Sequence, residues 1–226
     1  MSDTTRLVGD AAVDARSIVW LRGLTEQQKS DILCSTLLAQ LSAEAESPAG
    51  DESKATQWYN KFIGTLGNVG WVIRKSASSG VKESLIKGPV ADTILNALEA
   101  DENADKELYS SVARELIDML RAGYHSKAES VLDAASISSS AHFAGIQLAV
   151  AESVDDSLVL TIFGYFYSSS NNIGTALWHP IQEGAAVSIK QFFVQLALNE
   201  SVYAGVREAV IKKLEEADKM GLIVSL

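Results

Sequence analysis

Hydrophobic residues change their spacing along this chain, from helical periodicity in the first half to long apolar runs in the second. Between Ile137 and Leu198 the only formal charges are Glu152, Asp155, Asp156, Glu183 and Lys190. A stretch with so few charges must bury most of its side chains or lie against a partner. We therefore expect this region to form the sheet on which the fold is built.

Three segments of this region are predicted to be strands: Ala141–Ala151, Leu158–Tyr167 and Val187–Leu198. Both faces of the second segment are apolar, which is typical of a central strand covered on both sides. The polar connection between the first two segments is short and predicts an antiparallel hairpin. A long loop over 168–184 precedes the third strand.

The rest of the chain predicts amphipathic helices, each with one apolar stripe and a polar back. We expect them over Asp14–Leu24 (where 17–21 could equally be a strand), Thr25–Ala45, Ser53–Leu66, from Gly88-Pro89 past Leu98, Asp105–Ala122, Ser126–Leu132 and from Asn199 or Ser201 to Met220. Thr25 and Gln28 fit a capping box at the start of the second of these helices.

Three shorter segments are predicted to add to the sheet or to connect its strands. Gly70–Ser76 and Val81–Ile86 read as strands, and the serine-rich stretch 76–80 between them reads as a turn. The last five residues, Leu222–Leu226, could be an edge strand or a packed tail.

These elements predict a single α+β domain over residues 1–226, in which 1–24 is a candidate peripheral N-terminal segment. Helices gather early and strands gather late, which favours a mainly antiparallel sheet over an alternating βαβ fold. The sheet is expected from about 140–198, packed against helices of the N-terminal half and against the C-terminal helix.

Composition narrows the function classes. The chain has 226 residues, a formal net charge of −10, one cysteine and three histidines. The negative charge disfavours nucleic acid, which attracts proteins through Lys and Arg. A single cysteine allows no internal disulfide, and the scattered histidines suggest no metal site, so we expect no cofactor. We interpret Cys34 as a buried, inert thiol, with acylation or redox chemistry as the alternative.

The N-terminus lacks the basic start and apolar core of a secretory signal. The longest apolar run, Leu158–Tyr167, is also too short for a membrane-spanning helix. We therefore expect a soluble, cytoplasmic protein, which leaves a non-classical export route open.

Catalytic motifs are weak, so we lean towards a protein that is not an enzyme. His179, in the long loop, and His142, on the first predicted strand, are the only candidates for catalysis. The sequence contains no G-x-S-x-G elbow that would position a serine nucleophile.

Aromatic residues give a second set of candidates, for interaction rather than catalysis. Phe163, Tyr165 and Tyr167 alternate on one strand face, and Trp178 lies close in sequence. They belong to the core if helices cover this face, and otherwise they form an amphipathic patch for a partner.

Three functional hypotheses follow. The first is a non-enzymatic interaction or assembly protein that binds a protein partner or itself, as a homo-oligomer, through its charge-poor sheet. The second is a membrane-active or toxin-like protein, because strands of about ten residues can cross a bilayer when tilted. The apolar character of both faces of Leu158–Tyr167 counts against it, since a pore strand shows one polar face. The third is a hydrolase using His179 or His142.

Overall fold

A central β-sheet carries helices on both faces. The computed structural model describes residues 10–48, 52–81, 88–100, 106–122, 126–155, 157–181 and 188–226. Its strands are β1 (Ala11–Asp14), β2 (Ser17–Trp20), β3 (Trp71–Gly80), β4 (Gly88–Pro89), β5 (Phe143–Val154), β6 (Ser157–Ser168), β7 (Pro180–Ile181), β8 (Ser188–Leu198) and β9 (Ile223–Ser225). Its helices are α1 (Glu26–Glu46), α2 (Glu52–Asn68), α3 (Val90–Ala100), α4 (Lys106–Arg121), α5 (Ser126–Ser136), α6 (Glu200–Ala204) and α7 (Arg207–Glu216).

The seven strands of the main sheet lie in the order β3-β8-β6-β5-β2-β1-β9. Only the β2–β5 pair is parallel, and the other neighbours are antiparallel. The α+β class with a mainly antiparallel sheet is therefore confirmed. β4 and β7 form a separate two-stranded sheet.

Four neighbouring strands, β3, β8, β6 and β5, are unusually long at 10 to 12 residues each, against about 5–6 for an average strand. The β5–β6 hairpin pairs every residue from Phe143 with Ser168 to Val154 with Ser157. Two charge-poor segments joined by a short polar connection predicted this hairpin, and it is confirmed.

The sheet separates two hydrophobic cores. One lies under α1, α2, α6 and α7 and contains Leu33, Trp58 and Phe62. The other lies under α3, α4 and α5 and contains Ile94 and Leu116. Each of these two groups of helices thus covers one face of the long strands. The predicted capping box at Thr25 is present at the start of α1.

The predicted helix over Asp14–Leu24 is wrong, and the alternative of a strand over 17–21 is confirmed, because Ser17–Trp20 forms β2. β2 pairs with β1 in a hairpin around Ala15, whose φ is +49°. Every residue of both strands is buried. Strands that are buried on both faces have no polar side, and four residues are too few to show alternation. The spacing of apolar residues therefore resembled that of an amphipathic helix.

The predicted turn over 76–80 is also wrong, because β3 continues through it and Ser78 pairs with Phe192. Serine and glycine are tolerated there because β3 is an edge strand among the described residues and Ser76, Ser78 and Ser79 are exposed. Most of the predicted strand Val81–Ile86 lies outside the described residues.

Strands from both ends of the chain complete the sheet, which is therefore wider than the predicted region of about 140–198. β9 pairs with β1, so the edge-strand interpretation of the last residues is confirmed. The predicted helix at Gly88-Pro89 begins only at Val90. The C-terminal helix is capped by Asn199 and is divided at Gly205.

Candidate functional site

The central strands β6 and β8 present two chemically different faces. The face under α1 and α2 is apolar along nearly its whole length. It consists of Leu158, Leu160, Ile162, Gly164 and Phe166 from β6 and of Phe192, Val194, Leu196 and Leu198 from β8. Its one charged side chain, Lys190, lies near the start of β8 and donates to Thr56 Oγ1 at 2.7 Å.

The opposite face, under α3 and α4, carries hydrogen-bonding groups among its apolar residues. Strand alternation places the side chains of Thr161, Tyr165, Tyr167, Gln191 and Gln195 there. The Tyr109 hydroxyl from α4 lies 3.2 Å from Thr161 Oγ1, to which Gln195 Nε2 also donates at 3.4 Å. The β6–β8 register therefore brings Thr161, Tyr165, Gln191 and Gln195 together on this face, whereas the hydroxyl groups of the apolar face, Ser168 and Ser188, lie at the strand ends.

Three of the predicted interaction residues lie inside this second core. Phe163, Tyr165 and Tyr167 are each 1% exposed. Phe163 meets the Tyr109 ring edge-on at 5.4 Å between centroids. The Tyr167 hydroxyl donates to the Ala176 carbonyl at 2.7 Å, and burial raises the pKa of Tyr167. A partner could reach these rings only after the covering helices move away.

Trp178, the fourth predicted interaction residue, is half-buried at the surface. Its Nε1 donates to Glu129 Oε1 at 3.0 Å, and the Arg121 guanidinium lies 5.2 Å from the ring centroid. The indole is thus held between α4 and α5, apart from the three buried rings.

The two histidine candidates meet at one residue that sequence reasoning missed. His179 Nε2 lies 3.0 Å from Ser169 Oγ, and His142 Nδ1 lies 3.1 Å from the Ser169 carbonyl oxygen. His142 precedes β5 rather than lying on it, and it is exposed. Ser169 belongs to a serine run whose only sequence signal was that of a turn.

His179 borders an open cavity of about 440 Å³, which is also lined by Asn171, Asn172, Gly174, Thr175 and Pro180. Burial lowers the pKa of His179, which favours the neutral form of its ring. A serine hydroxyl within hydrogen-bond distance of a neutral imidazole is the arrangement that activates a nucleophile.

A buried polar cluster joins the β1–β2 hairpin to α1. Asp14 Oδ2 accepts from Thr36 Oγ1 at 2.5 Å and from Gln40 Nε2 at 3.3 Å. Asp14 is fully buried, and this burial raises the pKa of its carboxyl to about 8, although the Thr36 bond opposes the shift. The carboxyl is therefore mostly protonated at neutral pH.

Arg16, from the same hairpin, lies between α1 and α2. Its Nη2 donates to Glu44 Oε2 at 2.7 Å, and its guanidinium lies 4.3 Å from the centre of the Trp58 ring. Trp58 Nε1 donates to the same Glu44 oxygen at 3.1 Å. Burial lowers the pKa of Arg16 to about 10, which still leaves it charged. These contacts fix both helices on the sheet.

The single cysteine, Cys34, lies in α1 against the first core and is 2% exposed. Burial raises the pKa of its thiol to about 11, so little reactive thiolate exists at neutral pH.

Among the described residues, no His, Cys, Asp and Glu side chains come together in a group of three that could hold a metal ion. In the same part of the chain, no helix combines the length and the apolarity needed to span a bilayer.

No protein-family model matches this chain, and no curated protein matches it significantly. Among solved structures, it is similar to a delta-endotoxin, with 12% sequence identity over 82% of this chain and 81% of that chain and a TM-score of 0.41. It is also similar to the activated Cyt2Ba monomer from Bacillus thuringiensis subsp. israelensis, with 11% identity over 82% and 97% of the two chains and a TM-score of 0.42.

Proposed function

We propose that this protein is membrane-active and that the long strands enter the bilayer after the helices leave the sheet. The observation that carries this proposal is the contrast between the two faces of β6 and β8. An apolar face suits lipid, whereas a face with hydroxyl and amide groups suits a water-filled pore. The β6–β8 register supports this contrast, because it places Gln191 and Gln195 of β8 beside Tyr165 and Thr161 of β6.

Strand length supports the same proposal. A strand needs about 9–11 residues to cross the hydrocarbon core when tilted, and β3, β8, β6 and β5 have 10 to 12. Adjacent antiparallel strands also satisfy one another's backbone groups, which the bilayer demands. The chain would therefore bring a preformed four-stranded segment to the membrane.

Two exposed serines on opposite faces of β3 allow a matched test. Ser76 lies beside Val194 on the apolar face, and Ser79 lies beside Gln191 on the polar face. Both side chains are exposed, so a lysine at either position should leave the closed fold intact. Lysine facing lipid at the bilayer midplane costs about 2–4 kcal/mol, whereas lysine facing water in a pore does not.

Dye release from lipid vesicles would be measured for the native protein, Ser76→Lys and Ser79→Lys. We expect the native protein and Ser79→Lys to release dye and Ser76→Lys to release much less. Absence of release by the native protein from both anionic and zwitterionic vesicles, at acid and alkaline pH, would contradict the proposal. Equal loss in the two variants would contradict the assignment of the faces.

As a second candidate we propose ester hydrolysis by Ser169, favoured by its 3.0 Å contact with His179. Ser169 Oγ would bond to the carbonyl carbon as its proton passes to His179 Nε2, and the leaving alkoxide would take that proton. Water would then release the acyl group by the same steps.

Labelling by a fluorophosphonate tests this candidate. Ser169→Ala should abolish the labelling, and Ser168→Ala should not. An unlabelled native protein would exclude it.

A further inference from the structure

Helices α1, α2, α6 and α7 cover one face of the main sheet, and four chain connections among the described elements join them to its strands. These connections run from β2 to α1, from α2 to β3, from β8 to α6 and from α7 to β9. β2 is parallel to β5, and β8 has the same direction because β8 and β5 are both antiparallel to β6. Since β3 is antiparallel to β8, the first three connections lie at the same end of the sheet.

The fourth connection lies at the opposite end. β9 is antiparallel to β1, which is antiparallel to β2, so β9 runs in the direction of β2. The chain leaves β2 to enter α1, whereas it enters β9 on leaving α7. The covering helices can therefore swing about the end that carries three connections. The pairing of β9 with β1 is the connection that opposes this motion.

Two of the three connections at the shared end touch each other. Asn199 N donates to the Gly70 carbonyl at 2.9 Å, so the links from α2 to β3 and from β8 to α6 lie side by side. Gly70 has a φ of +103°, and a Cβ at this glycine would lie 3.2 Å from Tyr203 N. The chain thus forms a compact pivot at this end.

The covering helices are also tied to one another. Arg207 of α7 donates from Nε and Nη2 to the buried Asp31 carboxylate of α1, at 2.8 and 2.9 Å. The Tyr203 hydroxyl of α6 donates to the Asp31 carbonyl at 3.2 Å. Because α6 and α7 are held to α1 by these bonds, the helices can leave the sheet as one unit.

β9 is a short strand with a small hold on the sheet. It has three residues, all of them half-buried or exposed. Immediately before it, Ala15 N donates to the Leu222 carbonyl at 2.9 Å. Hydrogen-bonded pairs alternate along antiparallel strands, so Val13 and Val224 form the next such pair. Few backbone bonds therefore need to break for β9 to come free.

We propose that β9 is a latch, whose pairing with β1 keeps α1, α2, α6 and α7 on the sheet. Its release lets these helices swing about the pivot formed by Gly70 and Asn199. This inference rests on the proposed membrane activity, in which the helices leave the sheet. It adds an order of events, since β9 separates from β1 before the long strands meet lipid.

A reversible cross-link tests the latch. Ala12 and Ser225 are paired between β1 and β9, at a position that is not hydrogen-bonded. The Cα atoms of such a pair are about 4.5 Å apart, which permits a disulfide. The variant Ala12→Cys/Ser225→Cys, in a Cys34→Ser background, would be oxidised and added to dye-loaded vesicles of phosphatidylcholine and phosphatidylglycerol. We expect dye release to fall about tenfold or more and to recover when a reductant opens the disulfide.

A second cross-link controls for added stability. Ser153 and Leu158 are paired within the β5–β6 hairpin, so a disulfide between them joins two strands of the sheet and leaves β9 free. Oxidised Ser153→Cys/Leu158→Cys, in the same background, should release dye as fast as its reduced form. Equal release by oxidised and reduced Ala12→Cys/Ser225→Cys would overturn the latch and leave membrane activity standing. A native protein that releases no dye would overturn both.

Proline substitutions in β9 make the opposite change and need no lipid. Val224 directs its N–H towards β1, whereas Ser225 directs its N–H away. Val224→Pro therefore removes a bond of the latch, and Ser225→Pro retains every bond. In buffer, Cys34 under α1 should react with thiol reagents about tenfold faster in Val224→Pro than in the native protein. Ser225→Pro should react at the native rate, and equal rates in all three proteins would overturn the latch.

Discussion

Gly145 on β5 lies so close to the Phe166 ring on β6 that a Cβ at this glycine would come within 2.6 Å of two ring carbons. The two residues are directly paired, and Arg16 Nη1 lies 3.3 Å from the same Cβ position. The missing side chain thus makes room for an aromatic ring and a buried guanidinium. This contact lies where the β5–β6 hairpin meets the β1–β2 hairpin and helix α2.

We therefore expect Gly145→Ala to reduce the free energy of unfolding by about 1–3 kcal/mol, as overpacking in a dense core does. Gly164→Ala is a matched control on β6, because its Cβ would meet neighbours only at 3.5 Å or more. That change should alter stability by less than about 1 kcal/mol. Urea unfolding of both variants gives the comparison, and equal losses would contradict the steric account.

A second prediction concerns the pH dependence that Asp14 gives to stability. Its pKa is raised to about 8 by burial, from 3.8, so the folded chain binds a proton that the unfolded chain releases. Its contribution is greatest below the unfolded pKa and is lost as pH rises through the folded pKa. The slope between them approaches about −1.4 kcal/mol per pH unit.

Asp14→Asn removes this titration and keeps an acceptor for Thr36. The free energy of unfolding of the native protein, relative to the variant, should fall between about pH 5 and pH 8. Urea midpoints at several pH values measure the difference. A constant difference across that range would show that Asp14 is ionised in the folded state.

Local sequence patterns predicted the elements whose surroundings can be inferred from their own residues. We predicted the β5–β6 hairpin from two charge-poor segments on either side of a short polar connection. We predicted α1 from its capping box. The β1–β2 hairpin was not predicted, because its four-residue strands are covered on both faces. Their burial depends on β5, more than a hundred residues later.

The site depended still more on distant contacts. Thr161 and Gln195 share a face only because of the β6–β8 register, which no local pattern fixes. Asp14 was predicted to begin a helix, yet it ends β1 and bonds to Thr36 of α1. Ser169 and His179 are ten positions apart in the chain, and no known spacing rule connects them.

A third prediction uses the native cysteine to follow the α1 cover. In buffer, Cys34 should react slowly with thiol reagents, because it is 2% exposed and burial raises its pKa to about 11. If α1 leaves the sheet on vesicles, the reaction rate should rise by about tenfold or more, since opening exposes the thiol. An exposed cysteine at Asn60, in a Cys34→Ser background, should react equally fast in both conditions. Cys34 that stays slow on leaking vesicles would show that α1 remains in place.

The final prediction concerns ion selectivity, which depends on the face that lines the pore. Gln195 is half-buried on the polar face, so Gln195→Glu should fold and should place a carboxylate in the water-filled path. Currents across planar bilayers should then shift towards cations, seen as a changed reversal potential in a salt gradient. Asn60→Glu adds the same charge at an exposed site on α2 and should leave the reversal potential unchanged. Identical potentials for native protein and Gln195→Glu would place this face away from the conducting path.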